Sequence, residues 1–554
     1  MFKLLKLVFI SLFVFGCNAI FAQEQNQTYV VYLKEKSKEK FNPYSYFEIK
    51  NIERKQLNNL PLYDERDLPL NHNFVNQVES PQVKVLAASR WLNALFISTN
   101  LSEIIRIKSL PFVKQVDLFK SSKQKIIASE SDELSQRNKQ ILSYQTDRLQ
   151  ANEFANKNFT GKGIRIAVFD VGFSGTDKHK AFAHLRSNNQ IKATYDFINK
   201  NENVYLGGAH GTNTLSCITG IFEGQKMGMA TDAEFLLART EWTTKEDKQE
   251  EYFWLAAAEW ADKNGANIIS SSLGYGSDWY NVNDMDGKKS VVAFAATVAA
   301  QKGILVVNSA GNEYQDEWKT IITPSDADSV LCVGGTNPFN DRHINFSSTG
   351  PSADYRKKPN ISAPGHVIAA NPNGTIGVTF GTSFSCPLIS GFAACAWQSN
   401  RSLTNMQLFA KIEKSGHLFP YFDYMHGHGV PQASYFTNTS NSKPLANFEL
   451  IDSLKENNEI TIQITDTAVL NKFIFFEAFN DSMKLKNSNV KLEVKPPFGL
   501  NFYWNIANAA GKILHYEVIL VNSTKPIIIS PENKQKGNIL NFHFEGFTQT
   551  KTIE

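Results

Sequence analysis

Residues 381–387 read GTSFSCP, between a strand-like IGVTF (376–380) and a small-residue run, LISGFAACAWQ (388–398). A glycine-led corner, a hydroxyl and then a proline mark the point where a strand gives way to a helix. The first backbone N–H groups of a helix have no partner inside it, and the helix dipole places partial positive charge there. A hydroxyl at Ser383 therefore stands beside donors suited to an oxyanion. Pro387 is expected in the opening turn, where a missing N–H costs least, and Gly381 lets the chain come close. Taken alone, Ser383 would more often be an ordinary helix cap. The chain around it decides between the two.

Working outward, residues 140–436 alternate apolar strand-like runs with helical segments. GIRIAVFD (163–170), EFLLAR (234–239), GANIISSSLG (265–274) and GILVVNSAGN (303–312) end in polar residues or glycine. Between them lie EEYFWLAAAEWADKN (250–264) and KSVVAFAATVAAQ (289–301). This pattern predicts an α/β unit, a parallel sheet with helices on both faces. Functional residues in such sheets collect beyond the carboxyl ends of the strands. Asp170 closes one strand, and His210 opens a small-residue helix in GGAHGTNTLSCITG (207–220). With Ser383 they supply a carboxylate to orient an imidazole, an imidazole to take a proton and a hydroxyl to attack. Asn312, in VVNSAGNE (306–313), is placed to aim an amide at the same oxyanion, or to serve as a plain turn asparagine.

The flanks differ in character. The first residues, MFKLLKLVFISLFVFGCNAIFAQ, carry Lys3 and Lys6, a short apolar run and a small-residue exit near Ala22. They read as a secretory signal peptide over 1–22, too short for a membrane span. A lipidated Cys17 is the rival, for which Phe15 is an awkward neighbour. Residues 23–122 predict a small α+β unit with strands at TYVVYLK (28–34) and RWLNALFIS (90–98). Its helix starts at Asn100 with Glu103 and stops at Pro111. A polar stretch over 123–139 is open to proteolysis. After a linker at 437–444, residues 445–554 alternate apolar and polar, as in EITIQIT (459–465), NKFIFFEAF (471–479) and KILHYEVIL (512–520), and predict a β-sandwich.

At 554 residues with net charge +3, the composition gives no sign of a nucleic-acid partner. Outside the signal, Cys217, Cys332, Cys386 and Cys395 make neither a disulfide framework nor a zinc pattern, and they read as buried thiols.

In order and context, IAVFDVGF (166–173), HGTNTLSCITG (210–220), SSSLG (270–274), SAGN (309–312) and GTSFSCP resemble the subtilisin-like serine proteases. GMATDAEFLLAR (228–239), TPSDADSVLCVGG (323–335), FSSTGP (346–351), PNISAPG (359–365) and GHGVP (427–431) extend the resemblance across about 140–436. The order Asp, His, Ser is the subtilisin arrangement. The resemblance implies a secreted serine endopeptidase made as a zymogen, with a polypeptide substrate. Asp170 would orient His210, His210 would act as base and acid, and Ser383 would be the nucleophile. Asn312 and the Ser383 N–H would form the oxyanion hole. Ser272, Leu273 and Gly274 would pair with substrate backbone, and with Ser309, Ala310 and Gly311 would wall the pocket for the residue before the cut. Those walls carry no charge, which favours an apolar or aromatic residue there. Residues 23–122 resemble in layout the family's inhibitory propeptide, and would be this chain's own intramolecular inhibitor.

Two departures from the family pattern stand out. Phe384 and Ser385 follow the serine where the family usually has methionine and alanine. Val171 follows Asp170 where the family usually has a hydroxyl residue that could support the carboxylate.

No cofactor is required by this chemistry. Structural calcium, frequent in the family, needs about six to eight oxygens. The acidic loop NVNDMDGKK (281–289), with Asn283, Asp284 and Asp286, offers few and reads as a solvated loop. HGH (426–428) has metal-like spacing without a visible third ligand, so a glycine turn is expected. TTKEDKQEE (243–251) is expected as an exposed, charged helix start. The competing function is a catalytically silent relative acting as a binding or adhesion protein. Its weakness is that the chain has every one of the four polar residues that catalysis would need.

Overall fold

The computed structural model describes residues 26–119, 136–243, 247–438, 444–453, 459–466, 500–523 and 525–554. In the first unit, β1 (Gln27–Leu33), β2 (Lys84–Ser89), β3 (Ala94–Thr99) and β4 (Val113–Phe119) form an antiparallel sheet in the order β2-β3-β1-β4. Strand alternation splits its side chains between two cores. Tyr29, Val31, Leu95 and Ile97 pack on Val78, Ile104 and Ile107 from the unit's own helices. Val30, Phe96 and Phe119 face the other way and share a core with Tyr252, Leu255 and Val292 of the second unit. The side-chain oxygen of Asn100 caps the N–H of Glu103 at 3.0 Å, while the Glu103 carboxylate turns to Arg106 and Ser80. Residues 90–93 form a turn rather than strand. The run between β1 and β2 holds helical turns that the sequence pattern does not reveal, notably Ile49–Leu57 and His72–Val78.

The second unit is built on seven parallel strands. They are β5 (Arg165–Asp170), β6 (Ile191–Asp196), β9 (Glu234–Arg239), β10 (Ile268–Ser271), β11 (Leu305–Ser309), β12 (Val330–Thr336) and β13 (Ile361–Pro364). A short hairpin, β7 (Ile221–Phe222) and β8 (Gln225–Lys226), lies outside the sheet. The order is β13-β12-β11-β10-β5-β9-β6. Every position of β5 is buried, as helices on both faces require. Ile166 and Val168 enter one core with the helices His210–Thr219 and Thr382–Ser399. Ala167 and Phe169 enter the other with Glu250–Lys263 and Val291–Gln301. From β10 to β13 successive strands run outward on one side, whereas on the other the chain passes from β5 to the edge at β6 and returns to β9. The direction of winding switches where β5 meets β10, the place where such a sheet is expected to open a crevice. A hairpin, β14 (His366–Ala370) and β15 (Ile376–Phe380), leads into the helix Thr382–Ser399.

The third unit has two antiparallel sheets around one core. The first contains β16 (Phe448–Ser453), β17 (Glu459–Ile464) and β20 (Ile527–Ile529). The second contains β18 (Leu500–Ala507), β19 (Ile513–Val521), β21 (Ile539–Phe544) and β22 (Phe547–Thr552). Phe448, Ile460 and Ile462 of the first pack on Phe502, Trp504 and Phe542 of the second. NKFIFFEAF (471–479) lies outside the described residues. This unit braces the second. Arg342 donates to Asn501 at 3.1 Å, Asn505 donates to the Phe422 carbonyl at 2.8 Å, and the His426 and Tyr503 rings lie 5.4 Å apart. Among the described residues no helix is long and apolar enough to cross a membrane.

The segment read as an exposed charged helix start is corrected by the structure. Glu250 and Glu251 are fully buried. Glu250 accepts from the Trp242 N–H at 2.9 Å and Glu251 from the Tyr280 hydroxyl at 2.5 Å. Burial pushes the Glu251 carboxyl up to about 7. Tyr280, a partner distant in sequence, turns a charge-rich run into a sealed corner.

Candidate active site

Asp170 is the last residue of β5 and is fully buried. Its Oδ1 bonds to His210 Nδ1 at 2.8 Å and accepts from the Val171 N–H at 2.8 Å. The helix that carries His210 can approach this closely because its second residue is Gly211. A Cβ there would lie 2.2 Å from the Gly172 carbonyl oxygen. Val171 removes a hydroxyl from beside the carboxylate, yet a hydroxyl is supplied from elsewhere. Thr214 Oγ1 donates to Asp170 Oδ2 at 2.9 Å. Thr214 lies one helical turn beyond His210, so imidazole and hydroxyl share a face. That spacing was present in HGTNT (210–214) and is the signal the sequence reading missed.

Burial draws the His210 imidazole down, but the charge of Asp170 and its hydrogen bond outweigh it, and the pKa lies above its ordinary 6.5. The side chain is 32% exposed, and with Nδ1 engaged, Nε2 is left for the crevice.

Ser383 is the second residue of its helix, after Gly381 at φ 144°, a conformation that favours glycine. Phe384, the next residue, brings its ring within 5.6 Å of the His210 ring. The Ser383 hydroxyl donates to the Ser272 carbonyl at 3.4 Å, a long contact. Pro387 is not in the opening turn. It is the sixth residue of the helix, and without an N–H it leaves the Ser383 carbonyl with no partner four residues on. Ser272 fills the vacancy, its Oγ donating to the Ser383 carbonyl at 2.6 Å. Behind the helix, Ser385 donates to Ala363 and Pro364 carbonyls at 3.0 and 3.1 Å, so the small polar residues here bind buried backbone.

Asn312 is anchored from one side only. Its Oδ1 accepts from the Thr382 N–H at 2.9 Å and the Thr382 hydroxyl at 3.0 Å. The residue is exposed, and its Nδ2 lies 3.6 Å from where a Cβ on Gly381 would stand. An amide fixed through its oxygen offers its N–H groups to the space beside Ser383.

The segments read as pocket walls come together across Ile322. Ser272, Leu273, Ser309, Ala310 and Gly311 are buried and Gly274 is half-buried. Their polar groups are largely engaged. Asn308 donates to the carbonyls of Leu273 and Ser309, and the Ala310 carbonyl accepts from the Ile322 N–H at 3.1 Å. A Cβ on Gly274 would lie 2.5 Å from Ile322 Cδ1, and one on Gly311 3.0 Å from Ile322 Cγ1. The Ile322 side chain therefore fills the space between the two glycines. Sequence reading missed it because nothing local marks an isoleucine as a plug.

The remaining candidates hold local structure. His426 Nδ1 bonds Asp423 at 3.0 Å and its Nε2 accepts from the His343 N–H at 2.9 Å; His428 Nδ1 bonds the Tyr421 carbonyl at 2.8 Å. In the 281–289 loop, Asp284 accepts from the Asn281 N–H and Asp286 from the N–H groups of Lys288 and Lys289. Cys217, Cys332, Cys386 and Cys395 are buried and free.

Residues 161–442 match the subtilase family, peptidase S8. Residues 28–137 match the peptidase S8 propeptide domain of Bacteroidota. Subtilisin E of Bacillus subtilis (strain 168) is 25% identical over 339 residues, covering 60% of this chain and 77% of that protein. Subtilisin of Bacillus pumilus is 26% identical over 283 residues, 50% of this chain and 92% of that protein. Subtilisin BL of Lederbergia lenta is 28% identical over 272 residues, 49% and 89%. With a buried carboxylate on an imidazole at the sheet's carboxyl end, and a family match that spans half its length, the chain belongs to the subtilases, the serine endopeptidases of family S8.

Proposed function

We propose that this endopeptidase cuts polypeptides through Asp170, His210 and Ser383, and that it is exported by the signal peptide at 1–22 as a zymogen inhibited by its own N-terminal unit. The observation that carries the reading is the 2.8 Å bond between Asp170 and His210 Nδ1 on the helix face that packs beside Ser383. On this reading the Ser383 hydroxyl gives up its long contact to the Ser272 carbonyl and turns to His210 Nε2. Apo geometry at such sites is often loose and tightens with substrate. Ser383 Oγ then attacks the scissile carbonyl carbon while His210 takes the hydroxyl proton. The resulting oxyanion is met by Asn312 Nδ2 and the Ser383 N–H, which lies in the helix's unpaired first turn. Collapse breaks the C–N bond, with His210 returning the proton to the leaving amine. A water deprotonated by His210 adds to the acyl ester, and a second collapse frees the acid and Ser383.

Ile322 narrows the substrate. With the gap between Gly274 and Gly311 filled, the residue before the cut is small, glycine- or alanine-like, rather than the apolar or aromatic residue that uncharged walls alone suggest.

A fluorophosphonate probe tests the reading. Wild-type protein that has lost its N-terminal unit should be labelled at Ser383, and Ser383→Ala should not. Processed wild-type protein that stays unlabelled would favour the silent binding protein instead.

A further inference from the structure

Between β1 and the helix His72–Val78 the chain leaves its own sheet and lies against the amino end of the seven-stranded sheet. The contact there is polar and buried. Arg54 donates to the Asp262 carboxylate and the Ala266 carbonyl, and its Nε to the Lys302 carbonyl at 3.2 Å. Asn51 donates to Asp262 Oδ1 at 2.9 Å. In the reverse direction, Lys302 Nζ donates to Asp67 at 2.7 Å and Asp64 at 3.3 Å. Arg54 and Asp262 are 1% exposed, Asp67 2% and Lys302 3%. At the margin Arg165 reaches Glu48 at 2.6 Å and Lys50 reaches Glu234 at 2.9 Å. Cations and carboxylates come from both units and pair across the boundary, so neither side is left with an uncompensated buried charge.

This place is remote from the candidate active site. Arg165 opens β5 and Asp170 closes it. At about 3.3 Å per residue the two ends are roughly 17 Å apart. Ala266 and Lys302 likewise precede β10 and β11, whereas Ser272 and Ser309 stand at their far ends. A contact at the amino end cannot cover a crevice at the carboxyl end.

We propose that residues 41–72 are a tether separate from the inhibitory contact, holding the N-terminal unit on the catalytic unit as a non-covalent subunit after the chain between Phe119 and Gln136 is cut. The inference rests on reading the N-terminal unit as a propeptide released by such a cut. Its physical basis is the buried, hydrogen-bonded charge pair. Losing one partner leaves the other charge buried and unpaired, and in binding such pairs govern how slowly partners separate. Inhibition and this attachment are then distinct, so removal of the inhibitor requires the clamp to open as well as the apolar contact of Val30, Phe96 and Phe119 to part.

The test uses the full chain carrying Ser383→Ala, so that nothing depends on its own catalysis. A recognition site for a sequence-specific protease is inserted between residues 126 and 127, the protein is cut, and release of the N-terminal fragment is followed by gel filtration and mass determination. The fragment should co-elute with the rest of the chain. Arg54→Ala in the same background should speed its release about 100-fold, and 1 M salt should speed it little because the pairs are buried. Asp64→Ala removes the more exposed of the two carboxylates on Lys302, together with its cap on the Arg66 N–H at 2.8 Å, and should speed release by a smaller factor. The proposal is overturned if the cut fragment leaves during the first gel filtration, or if both variants release it at the unsubstituted rate. Because the nucleophile is absent throughout, failure here leaves the fluorophosphonate result, and the reading it tests, untouched.

Discussion

At the carboxyl end of the sheet, His210 keeps 32% of its side chain exposed and Asn312 holds its amide oxygen while its nitrogen faces outward. At the amino end, Arg54 pairs with Asp262 and Lys302 with Asp67, all four residues having 1–3% exposure. The same strands supply both places, and the same residue chemistry serves opposite ends. A group that must act on a substrate has to keep hydrogen-bonding capacity unspent and be held rigidly through its other atoms. A charge that joins two parts of a protein has to be paired, since a buried unpaired polar group costs about 1–3 kcal/mol and more when it is charged.

The sharpest way to break this comparison is to take the unspent capacity away. Asn312→Leu should lower kcat by about 10²–10³-fold with a small change in KM, the scale measured for such a donor in subtilisin. Steady-state kinetics giving less than a fivefold loss would remove Asn312 from the open end. Next in size is Ile322→Gly, which empties the space between Gly274 and Gly311. On a peptide panel varied at the residue before the cut, preference for phenylalanine over alanine should rise about 30-fold. An unchanged ranking would mean that the plug does not set specificity.

Thr214→Val removes a donor from a carboxylate that is otherwise held by His210 and its own chain. We expect kcat/KM to fall about tenfold, with the fluorophosphonate site still labelled. The pH profile sharpens the point further. The base must be neutral to accept a proton, and Asp170 favours the charged imidazole, so activity should fall on the acid side through a midpoint above 6.5. A midpoint below 6.5 would show that burial, not Asp170, dominates His210.

The smallest effect concerns a closed group at the open end. Glu251 has its pKa raised from 4.5 to about 7 by burial. Its folded form therefore holds the proton more tightly than the unfolded chain does. The contribution to stability is complete below pH 4.5 and is lost as pH rises through about 7. In a Ser383→Ala background, Tm should fall by a few degrees between pH 5 and pH 8, and Glu251→Gln should flatten that fall. Parallel curves for the two proteins would contradict the assignment.

Much of the open end was legible because its residues sit at element ends, where strand and helix patterns change. Asp170, His210, Asn312 and Ser383 each close or open an apolar run; the structure bonds Asp170 to His210, sets Phe384 beside His210 and ties Asn312 to Thr382. What was not legible depends on contacts between distant segments. Pro387 looked like an opening-turn proline, and only the partner Ser272, just past the end of β10, explains how it is accommodated within a helix. Ile322 is an ordinary apolar residue until two glycines close around it. The clamp at the amino end escaped reading altogether, since residues 41–72 show no long period and find their partners some 200 residues away, as Arg54 does with Asp262. Glu250 and Glu251 misled for the same reason, their charge being evident in sequence and their burial not.

The four free thiols carry a further consequence. One lies on the helix of His210, one in β12 and two on the helix of Ser383, and each is fully buried. Burial pushes Cys217 and Cys386 up to about 12 and Cys332 to about 11, so the reactive thiolate is scarce as well as hidden. Alkylation can proceed only when the surrounding element opens. Timed labelling at each cysteine thus amounts to a set of clocks built into the catalytic unit, reporting separately how often the histidine helix, the central sheet and the serine helix come apart.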